Sequence, residues 1–306
     1  MSVPRIVLRM ATALLFVAVV STIALVLARS APGDYTDTLR ASRLAPDAIE
    51  RERARLYLDR SLPELCVVWI SGLARFDMRA SYRYARPVTS LLAERLPRTL
   101  ALVGLALFLS IAGGLLWGTL QARATGAAAH LISGIAGLLL AVPSLVLLFV
   151  FLYAASRAGW LGIAHQGIAM PLIGILALAL PASAALAGLH AQALAGALDE
   201  PWAQAARARG VPSNRLVWKL AMRVAMTRMA SVTPLVAANV LGASLIVEAV
   251  TGWAGLGRLT LDAVVSRDVF LVAGCTAAVS ALVAGASLAA DAIGRVLDPR
   301  LKEHAA

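Results

Sequence analysis

Asp199-Glu200-Pro201-Trp202-Ala203-Gln204-Ala205-Ala206-Arg207-Ala208-Arg209-Gly210-Val211-Pro212-Ser213 is a short polar island between two long uncharged stretches. Pro201 suits a first helical position, because its missing N–H would be unpaired there anyway, and Glu200 suits the cap before it. Gly210 suits a left-handed stop, and Ser213 suits the cap of a second helix. The island therefore predicts helix, tight turn, helix. A chain this apolar exposes little folded polar surface to the cytoplasm, so a structured polar loop there is a docking element.

The stretches around the island set the fold class. Hydrophobic residues make up 60% of the 306 and charged residues only 15%, with a mean hydropathy of +0.79. No Asp, Glu, Lys or Arg occurs in 10–28, 99–122, 124–156, 158–198, 229–247 or 269–290. A helix needs about 20 such residues to cross a bilayer, since its backbone groups must all pair within the segment. The expectation is an all-α membrane protein with six transmembrane helices near 8–28, 99–121, 133–155, 170–192, 230–249 and 269–291. The fourth block has room for a re-entrant or interfacial piece around Trp160–Gln166. The first block suits a retained anchor better than a cleaved signal peptide: its 19 residues exceed a usual signal core, and Leu27-Ala28-Arg29 is a poor cleavage site. The parts are then an anchor helix (1–28), an outer segment (29–98), a five-helix core (99–292) containing the island loop (193–229), and a tail (293–306).

Orientation follows the basic residues of the short loops. With both termini cytoplasmic, the inner segments carry Arg5, Arg9, Arg123, Arg207, Arg209, Arg215, Lys219, Arg223, Arg228, Arg295, Arg300 and Lys302. The two short outer loops carry only Arg157, Arg258 and Arg267. The segment 29–98 holds thirteen arginines and faces outward, but segments longer than about 60 residues largely escape the rule. The net charge of +11 thus reads as topology, and no basic helix with interleaved aromatics points to nucleic acid.

Several chemistries find no residues to carry them. The two lysines, Lys219 and Lys302, do not follow a glycine, so the chain has no phosphate-binding P-loop. The histidines His130, His165, His190 and His304 are dispersed, with no acidic partner at metal spacing, and no nucleophile elbow occurs. No catalytic, metal or cofactor site is expected. Cys66 and Cys275 lie in different environments and are not expected to pair. Glu248, Asp291 and His190 fall near helix ends, where each is expected to reach the interface by snorkelling. A secondary carrier would want a carboxylate near mid-membrane, which is missing; a non-transport scaffold is the other alternative. The outer segment reads either as a platform for a soluble partner or substrate entry, or as a solvated cap. It contains an arginine-rich helical stretch at 46–60 and a short apolar run at 65–73.

Taken together, Ala31-Pro32-Gly33-Asp34, Pro87-Val88, Leu92-Ala93-Glu94-Arg95-Leu96-Pro97-Arg98-Thr99, the island, Glu248, Gly252-Trp253-Ala254-Gly255-Leu256-Gly257-Arg258, Ser266-Arg267-Asp268 and Leu297-Asp298-Pro299-Arg300 resemble the permease subunits of binding-protein-dependent ABC importers. The similarity is to the B-type subunit of the dipeptide/oligopeptide/nickel group, and it runs end to end. It implies a type I, MetI-like permease fold with a long periplasmic segment between helices 1 and 2. It implies a bacterial inner-membrane location, with a second homologous permease, two cytoplasmic ATPases that hold ATP and Mg, and a periplasmic substrate-binding protein as partners.

The resemblance also assigns roles. Pro201, Gln204, Ala205, Ala206, Arg207, Ala208, Arg209 and Gly210 match the family's Glu-Ala-Ala-x-x-x-Gly element, which seats in a groove of the ATPase. Small Ala205, Ala206 and Ala208 let a helix approach a partner closely. Glu248, Gly252, Trp253, Gly255, Gly257 and Asp268 form a motif on the periplasmic side. Departures stand at Gln204, where the family has glutamate, and at Leu220, Val224 and Arg228, where it has histidine, asparagine and proline. His190 and Gln192 replace arginines expected before the island. Gly113-Gly114, Pro143, Pro171, Pro181 and Pro234 read either as close-packing and kink points suited to motion or as ordinary membrane-helix composition.

Overall fold

The computed structural model describes residues 3–33, 46–161 and 166–297. Residue Asp34, positions 162–165 of the expected interfacial piece and the motif after Leu297 lie outside the described residues, as does the side chain of Asp291. Among the described residues regular structure is helical, apart from one bridge between Ala80 and Pro87.

In chain order the helices are α1 (Val3–Ser30), α2 (Pro46–Arg55), α3 (Leu62–Ala74), α4 (Val88–Arg123), α5 (Gly126–Ala141), α6 (Ser144–Arg157), α7 (Gln166–Asp199) and α8 (Pro201–Ala208). A single turn, Ser213–Arg215, and a π-helical stretch, Leu216–Ala221, then lead into α9 (Met222–Thr251). α10 (Leu256–Val265) and α11 (Val269–Leu297) follow. Among the described residues five helices are long and apolar enough to cross a membrane, and six spans result if α5 and α6 count as one broken crossing.

That break corrects the expectation of a continuous helix over 133–155. α5 and α6 meet at 101°. Pro143 follows an extended Val142 (φ −91°, ψ 119°) and stands in the capping position of α6. A proline removes a backbone donor and biases the preceding residue away from the helical region, which is what the geometry at Val142 shows.

The chain forms two compact units, residues 1–100 with 248–285, and residues 101–247 with 286–306. The first unit has a core of long side chains: Leu25, Leu58, Leu65, Trp69, Leu91, Leu256 and Phe270. Its α3 is the apolar run of the segment between the first two spans. Glu64 accepts the Ser61 N–H at 3.2 Å, half of a capping box, and Pro63 sits in the first turn. α3 lies along α1: the fully buried Trp69 donates its indole N–H to Ser21 Oγ at 3.1 Å. Ser21 lies well inside the apolar stretch Val7–Ser30, so one face of α3 is packed while Val67 and Ile70 on its other side stay exposed.

The second unit is held together by small residues. A Cβ added at Gly113, Gly114 or Gly118 of α4 would come within 3.0 Å of Ser183 Oγ, Leu186 Cβ or the Ala187 carbonyl of α7. Glycines spaced along one face let two backbones approach this closely, and dispersion then holds them where lipid supplies no hydrophobic drive. His190, expected to snorkel, is instead fully buried in this contact, with Nε2 3.2 Å from Thr119 Oγ1.

Candidate functional site

The polar island folds as one helical turn-and-return. Glu200 takes the extended cap conformation (φ −64°, ψ 147°) with Pro201 at the first helical position, as the sequence predicts. At the other end Gly210 has φ +77°, a left-handed value that a side chain resists. Its N–H donates to the Arg207 carbonyl at 2.9 Å, while the Val211 N–H donates to the Ala206 carbonyl at 3.1 Å. Those two bonds make a Schellman stop, with Val211 folding back against the helix. The second cap differs from expectation. Pro212 is the extended residue (φ −60°, ψ 140°) and Ser213 already belongs to the helix, because the rigid φ of proline suits the boundary.

α8 has two unlike faces. Ala203 and Ala206 are buried against Leu216, with Leu198 and Val211 packed around them. Ala206, expected to face a partner, is thus spent on internal packing. Pro201, Ala205 and Ala208, at spacing i, i+4, i+7, are exposed on the opposite side, with Trp202, Gln204, Arg207 and Arg209 around them. Gln204 donates its amide to the Asp199 carbonyl at 3.1 Å, tying α8 to the end of α7. A glutamate cannot make this bond, since an ionised carboxylate only accepts. That gives the departure at Gln204 a physical role.

Behind α8, the end of α7 (Ala193, Leu194, Ala197) packs on Val217, Ala221 and Ala225, with Ala122 of α4 alongside. Val217 and Ala221 belong to the π-helical stretch that starts at Leu216. A π segment is rare and often sits at functional positions. The surface helix is therefore wired to the helix base through neighbouring residues.

The second cluster lies in the other unit, around α10. Glu248 and Asp268, both fully buried, hold two helix starts. Glu248 Oε2 accepts the Gly257 N–H at 2.6 Å and also takes hydrogen bonds from the Thr99 hydroxyl and the Arg258 backbone. Thr99 Oγ1 in turn accepts the Leu256 N–H at 2.8 Å. Glu248 thus serves the first turn of α10 as an acceptor from the end of the preceding helix α9, rather than reaching solvent as the sequence reading had it.

A Cβ on Gly255 would lie 2.5 Å from both Glu248 Oε2 and Thr99 Oγ1, so that glycine is needed for the close approach. Gly252 is left-handed at φ +70°. It turns the chain so that the Trp253 indole donates to the Arg98 carbonyl at 3.1 Å and Arg95 Nη1 reaches the Ala254 carbonyl at 3.3 Å. The motif at 92–99 and the motif at 252–258 are in fact one structure.

Asp268 caps α11 through Oδ1, which accepts the Leu271 N–H at 3.1 Å. Its Oδ2 gathers the turn at 81–83, accepting from Ser81 Oγ and the Arg83 N–H. Burial pushes the Asp268 carboxyl up from its ordinary range, opposed by these donors. Sequence reasoning missed Thr99, Ser81 and Leu216 as partners; only the fold brings them to the motifs. Among the described residues no cluster of His, Cys, Asp and Glu suits a metal ion.

Comparison with known proteins agrees with this architecture. Residues 110–303 match the family model described as binding-protein-dependent transport system inner membrane component. A putative peptide transport system permease protein of Brucella abortus (strain 2308) is 27% identical over 96% of this chain and 97% of its own. The oligopeptide transport system permease protein OppB of Escherichia coli (strain K12) is 25% identical over 92% and 93%. Among solved structures, an inward-facing form of the MetNI methionine ABC transporter aligns with a TM-score of 0.53 at 21% identity, covering 68% of this chain and 96% of that one. With the match spanning most of the helical core, the chain belongs to the inner-membrane components of binding-protein-dependent transport systems and is a permease subunit of a bacterial ABC importer.

Proposed function

We propose that this subunit forms half of a translocation path for peptides or a related small solute, and that α8 is its ATPase-coupling element. In this reading both termini are cytoplasmic, and the segment between the first two spans faces the periplasm of the inner membrane. The assembly contains a second homologous permease, two ABC ATPases that supply ATP and Mg, and a periplasmic binding protein that delivers solute. The names of the full-length relatives support a peptide class of substrate.

The observation that carries the coupling role is the two-faced packing of α8. A short helix fixed by Ala203 and Ala206 on Leu216, stopped by Gly210 and presenting Pro201, Ala205 and Ala208 outward, moves as one body with its base. ATPase closure then needs only to favour one of two packings of the bundle. Glu248, Gly252, Trp253, Gly255, Gly257 and Asp268 act as a rigid frame around α10 rather than as solute ligands.

Ala205→Trp tests the assignment. It adds bulk only to the exposed face, so the chain should insert and melt like wild type while ATP-driven uptake by the reconstituted importer falls at least tenfold. Uptake at the wild-type rate sinks the assignment. Ala206→Trp is the contrasting variant: it should lower stability, because Leu216 leaves it no room.

A further inference from the structure

The segment between the first two spans, with Phe270 of α11, borders an open cavity of about 450 Å³ that the permease role leaves unused. Arg55, Tyr57, Asp77, Arg79, Tyr82 and Phe270 are among its walls. Its volume falls in the range of small-molecule sites. The floor is aromatic: Tyr57 and Tyr82 stand edge-on to Phe270, with centroids 6.1 and 5.8 Å away.

The cavity is cationic. Arg55 and Arg79 stand in its wall, the guanidinium carbon of Arg79 lies 5.7 Å from the centre of the Tyr57 ring, and Arg60, outside the lining, stacks on the same ring at 5.0 Å. Against these stands Asp77, whose Oδ2 is 3.2 Å from Arg79 Nη1. That pair leaves Arg79 Nε buried with no hydrogen-bond partner among the described residues. The Arg79 side chain as a whole is 31% exposed, so its outer guanidinium edge can meet an acceptor that arrives with a ligand.

The backbone adds an independent observation. Tyr57, Arg79 and Ala85 all line the cavity, and all three are left-handed without being glycine, at φ 60°, 63° and 49°. Such residues persist only where their surroundings fix them, and they gather at ligand clamps. Tyr57 is held by the two cation–π contacts, and Ala85 by its N–H donating to the Ser81 carbonyl at 3.0 Å.

From the arginine wall, the aromatic floor and the strained frame, we infer that this cavity binds a carboxylate-bearing peptide group, with the carboxylate on the exposed edge of Arg79 and an adjacent apolar side chain on the Tyr57–Phe270–Tyr82 floor. A planar monoanion suits a guanidinium edge, whereas a phosphate dianion would be repelled by Asp77. The inference rests on the proposed topology only for placing the cavity on the side from which solute arrives.

The test uses the full chain in nanodiscs and three probes read by saturation-transfer NMR: N-acetyl-Ala-Phe, its C-terminal amide, and N-acetyl-Asp-Phe-amide. Both carboxylate-bearing probes should bind about tenfold more tightly than the uncharged amide. Arg79→Gln should abolish that preference. Asp77→Asn should tighten binding of the acids about threefold, an effect that a damaged fold cannot imitate. A preference for the terminal carboxylate identifies free peptide as the source, and a preference for the side-chain carboxylate identifies a loop of a docked protein. Equal binding of all three probes, or weaker binding by Asp77→Asn, overturns the inference. Neither ATP nor ATPase is needed, so the outcome is separate from that of the Ala205→Trp uptake assay.

Discussion

Replacing Glu248 separates a structural carboxylate from a solvated one. Two backbone donors at the start of α10, Gly257 N–H at 2.6 Å and Arg258 N–H, depend on it, as does the Thr99 hydroxyl. Glu248→Leu leaves both amides without an acceptor beside a fully buried site. At about 1–3 kcal/mol for each stranded group, the loss is about 2–6 kcal/mol. Glu248→Gln keeps the carbonyl acceptor and places its amide where Oε1 has no partner among the described residues. It forfeits only the charge facing the helix start, about 0.3–2 kcal/mol. At about 2 °C per kcal/mol, the leucine variant should lower the melting midpoint by about 4–12 °C and the glutamine variant by about 1–4 °C. Differential scanning fluorimetry of the full chain in nanodiscs measures both. Equal shifts for the two variants, or a leucine variant melting within about 1 °C of wild type, would refute the capping role.

Three further perturbations probe other parts of the frame. Gly114→Ala puts a Cβ 2.6 Å from Leu186 Cβ and should cost about 1–3 kcal/mol, whereas Gly134→Ala, with nothing within 4 Å, should be neutral or stabilising; similar melting of the two variants would mean α4 and α7 are not in close contact. Trp69→Phe should cost about 1 kcal/mol through loss of the bond to Ser21, and a double-mutant cycle with Ser21→Ala should show that the two losses do not add; additive losses would remove the contact between α3 and α1. The Asp268 carboxyl is raised in the folded state, so the fold holds its proton to higher pH than the unfolded chain does. Stability from this group is therefore full at acid pH and is lost as pH climbs from the ordinary carboxylate range, about 4, through the raised folded value. Melting midpoints across a pH series should show this decline in wild type and lose it in Asp268→Asn, and parallel curves would contradict the burial.

How much of this was legible in the residues depends on the range of the interaction. The spans were, because a run of about 20 uncharged residues constrains itself. So were the two ends of α8, since Pro201 and Gly210 act on their own dihedrals. The break at 142–143 was less plain: Pro143 sits inside an uncharged block, and a proline in a membrane helix as often kinks it as divides it. The burial of Glu248 was out of reach. Its partners Thr99 and Gly257 come from different helices, and a carboxylate at the end of an apolar run looks the same whether it meets water or a helix start. Trp69 and Ser21 lie 48 residues apart, and nothing in either segment alone announces their bond.

The departures from the family pattern gain a common reading from the same distinction between local and distant constraints. If α8 works as a lever, what must be conserved is its shape. Ala203 and Ala206 must stay small enough to sit on Leu216, Gly210 must stay left-handed, and Gly113, Gly114 and Gly118 must keep α4 against α7. Gln204 has departed from the pattern, but it holds the end of α7 by a bond that its own chemistry makes possible. Leu220 and Val224 are exposed, one in the π-helical stretch and one in the turn after it, where a change alters the surface offered to a partner and not the packing beneath. The departures therefore fall on two kinds of position: Gln204 and the buried His190 belong to the packing of α8, α7 and α4, while Leu220 and Val224 lie on the exposed surface.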